Sequence, residues 1–268
     1  MNDWVVIGTG IGLGVVLLGA ASIKWCIQPR FTVLILALGA LVGLLGGMLA
    51  GRSAWPQFVV FLVVMALQFA FYVGFIAWRF YRDPERMPPA DSSAIVSPAD
   101  GKIIYIRKLP PHSVLRCDKK GAQLFLDELK ASPLVAQELW QVGISMVFTD
   151  VHINRSPIAG KVILAQHRPG KFWSLRIPEA INVNERQTML FDNGTFQIAL
   201  VQIASRLVRR IEAYVREGQQ IEMAQRIGMI KFGSQVDLFL PVGAVSDLAV
   251  KEGDELTAGE TIVARAKR

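Results

Sequence analysis

Uncharged apolar positions crowd the first third of the chain. Residues 4–23, 31–51 and 53–78 form runs of 20, 21 and 26 residues without a charge. A bilayer core about 30 Å thick needs roughly 20 apolar helical residues, so each run is long enough to cross. The third opens on Ser53, Ala54, Trp55, Pro56 and Gln57, which places the start of its span near Phe58. Two to three transmembrane helices are therefore expected over 1–78. The first run lacks the basic start of a signal peptide, since only Asn2 and Asp3 follow Met1.

Beyond residue 78 the pattern shortens. Residues 95–96, 102–106, 142–148, 161–165, 187–191, 196–203, 222–227, 236–240 and 261–264 read as strands divided by Pro, Gly, Asn and Asp. Residues 122–140 form the best helical candidate, interrupted at Ser132 and Pro133. The expected fold is mainly β, a sandwich or barrel-like domain with a few helices over 79–268, preceded by an α-helical membrane region. Ser97-Pro98-Ala99-Asp100-Gly101-Lys102 is echoed by Ser156-Pro157-Ile158-Ala159-Gly160-Lys161. Pro and then Gly at that spacing suit a tight turn feeding a strand. The tail from Val250 to Thr261 looks like the hairpins of lipoyl- and biotinyl-type sandwiches, without their modifiable lysine.

Composition agrees with this division. Hydrophobic residues make up 52% of the 268 residues and charged ones 19%, and the mean hydropathy is +0.37. That excludes an intrinsically disordered chain. Two cysteines cannot make a disulfide scaffold, and three histidines without metal-ligand spacing argue against a zinc site. The net charge is +7. Residues 79–268 hold 26 basic and 21 acidic residues, a dispersed excess with no nucleic-acid motif. Anionic lipid head groups are the better partner for it. Lys24 and Arg30 follow the first run, Arg52 stands alone after the second, and Arg79, Arg82 and Arg86 follow the third. The positive-inside rule then puts the C-terminal domain on the cytoplasmic side of a multi-pass cell-membrane protein.

Several short segments carry candidate chemistry, each ordinary alone. Gly233 and Ser234 precede a predicted strand. His152 follows a strong apolar strand within Asp150-Val151-His152-Ile153-Asn154-Arg155. Asp100 sits in the first SPxxGK turn, where an Asp commonly caps its own backbone. In order, the FYRDPER segment ending at Arg86, the SPADGK turn, the DVHINRSPxxGK segment, Asn184-Glu185-Arg186 and FGSQVD strongly resemble the shorter, membrane-bound phosphatidylserine decarboxylases. The resemblance covers essentially all of 79–264.

It implies a self-processing zymogen with a covalent pyruvoyl group and neither metal nor pyridoxal phosphate. Ser234 Oγ would attack the Gly233 carbonyl and turn the amide into an ester. Loss of the Ser234 α-proton would expel the ester carboxylate, and the dehydroalanine left would tautomerise, take up water and lose ammonia to give the pyruvoyl group. The products would be a large chain, 1–233, and a small chain of 35 residues, 234–268, held together. The serine head group of phosphatidylserine would form a Schiff base with the pyruvoyl carbonyl, lose CO2 and leave as phosphatidylethanolamine. The resemblance further suggests an Asp-His-Ser relay through Asp100. The longer form of the family has a second His three residues after the first; here that position is Arg155, so His152 is assigned the acid-base role. Arg155 could bind the substrate carboxylate or phosphate, since its fork suits such anions. Three other readings stay open: a decarboxylase of a related serine lipid such as archaetidylserine, a membrane-anchored serine hydrolase, and a non-catalytic tethered β-sandwich. A homo-oligomer is left open, and no nucleic-acid partner is expected.

Overall fold

The computed structural model describes residues 3–25, 27–53, 55–115, 126–175, 177, 179–205, 210–231 and 234–267. It divides into two compact units, one of Met1–Arg82 with Val147–Thr149, the other of Asp83–Met146 with Asp150–Arg268.

The first unit contains three helices long and apolar enough to cross a membrane: α1 (Asp3–Lys24), α2 (Pro29–Gly51) and α3 (Gln57–Tyr81). They coincide with the three uncharged runs. Pro29 sits at the start of α2, where its missing N–H costs nothing. Gln68 is buried among the helices and its Nε2 donates to Gly10 O and Val64 O, both at 3.3 Å. Gly14 and Gly43 leave the room for that side chain. Small residues that admit a polar cross-link are the usual means of packing helices in lipid.

The second unit is mainly β. Its strands are β1 (Ala94–Val96), β2 (Gly101–Leu109), β3 (Leu139–Met146), β4 (Ile153–Arg155), β5 (Gly160–Arg168), β6 (Arg186–Asp192), β7 (Gln197–Ala204), β8 (Ile211–Ala213), β9 (Gln220–Ile221), β10 (Arg226–Ile230), β11 (Ser234–Pro241), β12 (Glu255–Leu256) and β13 (Ile262–Arg265). A short helix, α4 (Ala180–Val183), precedes β6. Eight strands make one antiparallel sheet, curled as a half-barrel, in the order β12-β2-β3-β11-β7-β6-β5-β9. The order β4-β10-β8 forms a second sheet, and β1 pairs with β13.

That order is a palindrome. Exchanging β2 with β5, β3 with β6, β11 with β7 and β12 with β9 returns the same sheet, and β1-β13 matches β4-β10. The SPxxGK echo is the sequence trace of this quasi-two-fold. Ser97 Oγ donates to Ala99 O at 2.8 Å, and Ser156 Oγ donates to Ile158 O at 2.6 Å. Register shifts fall at Ile103/Tyr105 and at Val162/Leu164, the same step after each Gly-Lys. Val96 N donates to Pro157 O at 3.0 Å, and Arg155 N donates to Pro98 O at 2.9 Å, so the two turns bond each other reciprocally. A second echo belongs to the same symmetry: Val215-Arg216-Glu217-Gly218 before β9 and Val250-Lys251-Glu252-Gly253 before β12.

Two expectations are corrected. Residues 122–125 of the helical candidate lie outside the described residues, and the rest is not α-helical. It consists of 3-10 turns at Asp127–Leu129 and Pro133–Ala136 followed by β3. Ser132 accepts from Leu134 N at 3.1 Å and, with Pro133, starts a new turn instead of continuing a helix. The strand expected at 222–227 is displaced to β10. Gln225 N donates to Glu222 O at 3.2 Å and Ala224 adopts φ 63°, so a tight turn occupies the start of that run.

Alternate positions of the large sheet bury an apolar face. Val142, Ile144, Met189, Phe191, Leu200, Val236 and Leu238 belong to the main core. Leu139, Leu190, Val201, Ile203 and Phe239, on the other face, pack with Leu126, Leu129 and Leu134. Both faces of β11 are thus covered, and every one of its residues is buried.

Candidate active site

β11 opens at Ser234 and lies between β3 and β7, where Ser234 pairs with Met146 on one side and Ala204 on the other. The residue is 3% exposed and its Oγ lies 3.3 Å from Met146 Sδ. Gly233, the other half of the expected cleavage bond, lies outside the described residues. Directly opposed residues of neighbouring strands point to the same face. Ser234 therefore shares the main-core face with Met146 and Ala204.

His152 is fully buried just before β4. Its Nδ1 stands 2.9 Å from Asp150 O. A carbonyl oxygen only accepts, so Nδ1 carries the proton in this contact. His152 O accepts from Ile230 N at 3.2 Å, which ties the histidine backbone to the end of β10, shortly before Ser234. Asn154 completes the connection. Its Nδ2 donates to Pro98 O at 3.3 Å and approaches Met146 Sδ at 3.9 Å, while its Oδ1 accepts from Gln202 at 2.7 Å. The Met146 sulfur is thus a common neighbour of Ser234 and Asn154. The SPADGK, DVHINR and FGSQVD segments converge there.

Asp100 is buried, and four hydrogen bonds account for its carboxylate. Arg86 Nη2 reaches both oxygens at 3.1 and 3.0 Å, Ala258 N donates at 2.8 Å and Val151 N at 3.4 Å. Asp100 meets the His152 segment through the backbone of Val151. Arg155 is also buried, 3% exposed. Its guanidinium donates to Ala224 O at 3.0 Å, Pro84 O at 2.8 Å and Asp83 at 3.3 Å. Burial, and then the charge of Arg226, lower its pKa from the ordinary arginine value.

Sequence reasoning gave no role to Asn184, Glu185 and Arg186, which hold the neighbouring loop. Asn184 donates to Trp173 O and Ala204 O and accepts from Trp173 N, all at 2.8 Å. Glu185 accepts from His167 Nε2 at 2.9 Å and from Ile211 N at 3.1 Å. Arg186 makes a fully buried pair with Glu128 at 3.0 Å. Their clustering as Asn-Glu-Arg at a strand start was the available signal. It marks buried groups, each satisfied by a different part of the chain, rather than a patch of solvated surface.

Asp237, on the opposite face of β11, was also missed. Tyr105 Oη donates to both its oxygens at 2.9 and 2.8 Å, Gln141 Nε2 donates at 2.6 Å and Gln235 Nε2 at 2.7 Å. Burial pushes its carboxyl above the usual range, against the lowering effect of those donors. Burial, and then the charge of Asp237, raise the Tyr105 phenol as well. Among the described residues no cluster of three or more His, Cys, Asp or Glu is arranged to hold a metal ion.

Known proteins resemble this chain over most of its length. A family model described as phosphatidylserine decarboxylase matches residues 74–264. A phosphatidylserine decarboxylase proenzyme of Erythrobacter litoralis is 40% identical over 214 residues, 79% of this chain and 76% of the relative. One of Novosphingobium aromaticivorans is 37% identical over 212 residues, 79% of this chain and 75% of the relative. One of Desulfotalea psychrophila is 37% identical over 216 residues, 80% of this chain and 87% of the relative. The matched stretch runs from within α3 through β13 and takes in every segment that converges on Ser234, and on that extent the chain belongs to the phosphatidylserine decarboxylase family of carboxy-lyases.

Proposed function

We propose that this protein is a phosphatidylserine decarboxylase that cuts itself between Gly233 and Ser234 and converts Ser234 into a pyruvoyl group. The observation that carries this reading is the burial of Ser234 at the head of the central strand, its hydroxyl against the uncharged Met146 sulfur. A new chain beginning there with a free ammonium would bury an unpaired charge at a cost of several kcal/mol. A pyruvoyl group carries no charge and fits the same place. Once formed, it supplies the carbonyl that draws electrons from the breaking carboxylate bond of a serine head group. The products are phosphatidylethanolamine and CO2.

The chain's own residues have these parts. Ser234 Oγ is the nucleophile toward the Gly233 carbonyl, and the peptide nitrogen takes up the proton as the ester forms. His152 is the acid-base group for cleavage, turnover or both, with Nδ1 steered by Asp150 O. Asp100 orders the segments around it through Arg86, Val151 N and Ala258 N. Arg155 already serves three protein acceptors, and in this reading it positions residues 83–84, next to Arg86. Pairing would hold the two products together. The small chain, 234–268, would keep β11 between β3 and β7, β12 on β2 and β13 on β1. The large chain, 1–233, would supply all those partners.

The three apolar helices suggest membrane association, and we assign them as the multi-pass anchor of the 79–268 catalytic domain, which the flanking Arg and Lys residues put on the cytoplasmic side. Tethering suits a substrate whose acyl chains leave a bilayer only at about 0.8 kcal/mol per CH2.

Denaturing mass spectrometry of the detergent-solubilised protein tests the proposal. Two chains are expected, the smaller lighter by one ammonia than the 234–268 peptide. Ser234→Ala is expected to remain one chain and release no CO2 from phosphatidylserine. A fully active Ser234→Ala protein overturns the mechanism, whereas a wild-type protein that stays one intact chain with a reactive Ser234 hydroxyl reopens the hydrolase reading.

A further inference from the structure

A cavity of about 490 Å3 lies between β6, β8 and the loop after β5. His167, Glu185, Gln187, Arg210, Phe172 and Ala213 are on its wall. Its volume is that of a site for a small molecule. The wall is polar at its base and open at its rim. The Glu185 side chain is 7% exposed, against 46% for His167 and 74% for Arg210.

Register connects this cavity to Ser234. Ser234 pairs with Ala204, and Ala204 N donates to Glu185 O at 2.9 Å. One step along, Val236 pairs with Gln202, Gln202 with Gln187 and Gln187 with His167. Opposed residues share a face, so Glu185, Gln187 and His167 stand on the same face of the sheet as Ser234. Glu185 is two strands away, about 10 Å at the usual strand spacing. In a seryl phosphodiester the amine and the phosphorus are four bonds apart, about 5 Å. With the amine at Ser234, the phosphate falls roughly half-way to Glu185, and the rest of the lipid continues toward the cavity.

We propose that this cavity is the port through which the phosphate-bearing head group of an aminophospholipid reaches Ser234, with Arg210 as the cation that meets the phosphate and the His167 ring beside it. Glu185 acts through others. It holds His167 by the ring nitrogen and the start of β8 by Ile211 N, and so it is a positioning residue. The inference rests on the reading of Ser234 given above.

The test uses the full-length, self-cleaved protein. Ala213→Cys is placed in a Cys26→Ser, Cys117→Ser background and modified, after cleavage, with a bulky maleimide. Turnover is measured before and after labelling of the same protein, on phosphatidylserine vesicles and on soluble dihexanoyl phosphatidylserine. Thr195→Cys, in the hairpin between β6 and β7, is the labelling control. Labelling at 213 is expected to lower kcat/KM at least about tenfold on both substrates, with the control unchanged. Turnover at the control rate after full labelling overturns the port. A loss confined to vesicles also overturns it, because the cavity would then serve contact with the bilayer and not passage of the head group. Should Ala213→Cys fail to cleave, Arg210→Glu decides. A raised KM with normal cleavage and normal kcat supports the port, and an unchanged KM overturns it. Failure of the underlying reading is separately visible, since the wild-type chain would then show no small product by mass spectrometry before any label is added.

Discussion

Arg86 Nη2 bridges both carboxylate oxygens of Asp100, at 3.1 and 3.0 Å. The two side chains are 14% and 11% exposed, so the pair is largely withdrawn from solvent. The carboxylate also accepts from Ala258 N and Val151 N. One group thereby joins the FYRDPER segment, the His152 segment and the turn before β13. Removing Arg86 leaves the Asp100 carboxylate with backbone donors alone, and removing Asp100 leaves Arg86 with only the more exposed Glu260 at 3.4 Å. Arg86→Ala and Asp100→Ala are each expected to cost about 2–4 kcal/mol of stability and to slow self-cleavage. A double-mutant cycle on thermal unfolding in detergent checks the coupling: the double variant should be less destabilised than the sum of the singles.

Arg155 tests the other end of the same support. Its three acceptors lie at Ala224, Pro84 and Asp83, which a planar fork reaches together and a single ammonium does not. Arg155→Lys is expected to lose about 1–3 kcal/mol of stability despite keeping the charge. Cleavage should slow while KM for the lipid stays near the wild-type value. A raised KM with normal stability would instead mark Arg155 as an anion ligand.

His152 is buried with Nδ1 on a carbonyl, and in the proposed mechanism its other nitrogen would exchange the proton. His152→Ala should slow self-cleavage, turnover of the cleaved fraction, or both, by about 10²–10⁴-fold, the usual worth of general acid-base catalysis. Time-resolved gel separation of the chains measures the first and CO2 release the second. Wild-type behaviour in both assays removes His152 from the site.

Asp237 gives a pH dependence. Burial raises its carboxyl, so the folded protein keeps that proton to a higher pH than the unfolded chain does. Above the unfolded value of about 4 the folded state therefore binds more protons, and the contribution of this group to stability falls as pH rises toward the folded pKa. Asp237→Asn cannot ionise and should flatten that part of the profile. Melting temperatures of both proteins in detergent at pH 5 and pH 8 measure it, the wild type losing more than the variant across the interval.

Long periodic segments were legible in the sequence because their own pattern decides them. The three helices follow from uncharged runs, and β2, β3, β5, β6, β7 and β11 from apolar segments bounded by turn residues. The short strands β4, β8, β9 and β12 were not legible. Each has two or three residues, and each exists because a distant partner fixes it, as Gly160 pairs with Ile221. Local pattern also overreached at 122–140, where Ser132 and Pro133 outweighed helical spacing. At the site, motif order pointed to Ser234, His152 and Asp100 without showing what holds them. The Asp100–Arg86 pair, the Met146 sulfur and the Glu185–His167 pair join positions far apart in sequence, and no spacing rule encodes such meetings. The SPxxGK echo was visible, but only the sheet order showed it to be one half of a symmetry that also includes the two Val-x-Glu-Gly turns.

That symmetry separates a backbone requirement from a chemical one. Gly101 and Gly160 occupy equivalent turns with φ 142° and 157°, and a Cβ on either would stand 2.3 Å from a carbonyl oxygen, Ser145 O or Asp192 O. Backbone cannot yield as a flexible side chain does, so each Gly→Ala change is expected to cost about 3–5 kcal/mol. Gly194, at φ 89° with open space around its Cβ position, is the comparison, where alanine should cost only about 1 kcal/mol. The two turns differ in what precedes the glycine. Asp100 stands before Gly101 and binds Arg86 and Ala258, whereas Ala159 stands before Gly160. Gly101→Ala should therefore slow self-cleavage well beyond Gly160→Ala at a matched loss of melting temperature. Equal cleavage rates at matched stability would show that the Asp100 turn supports the fold and nothing more.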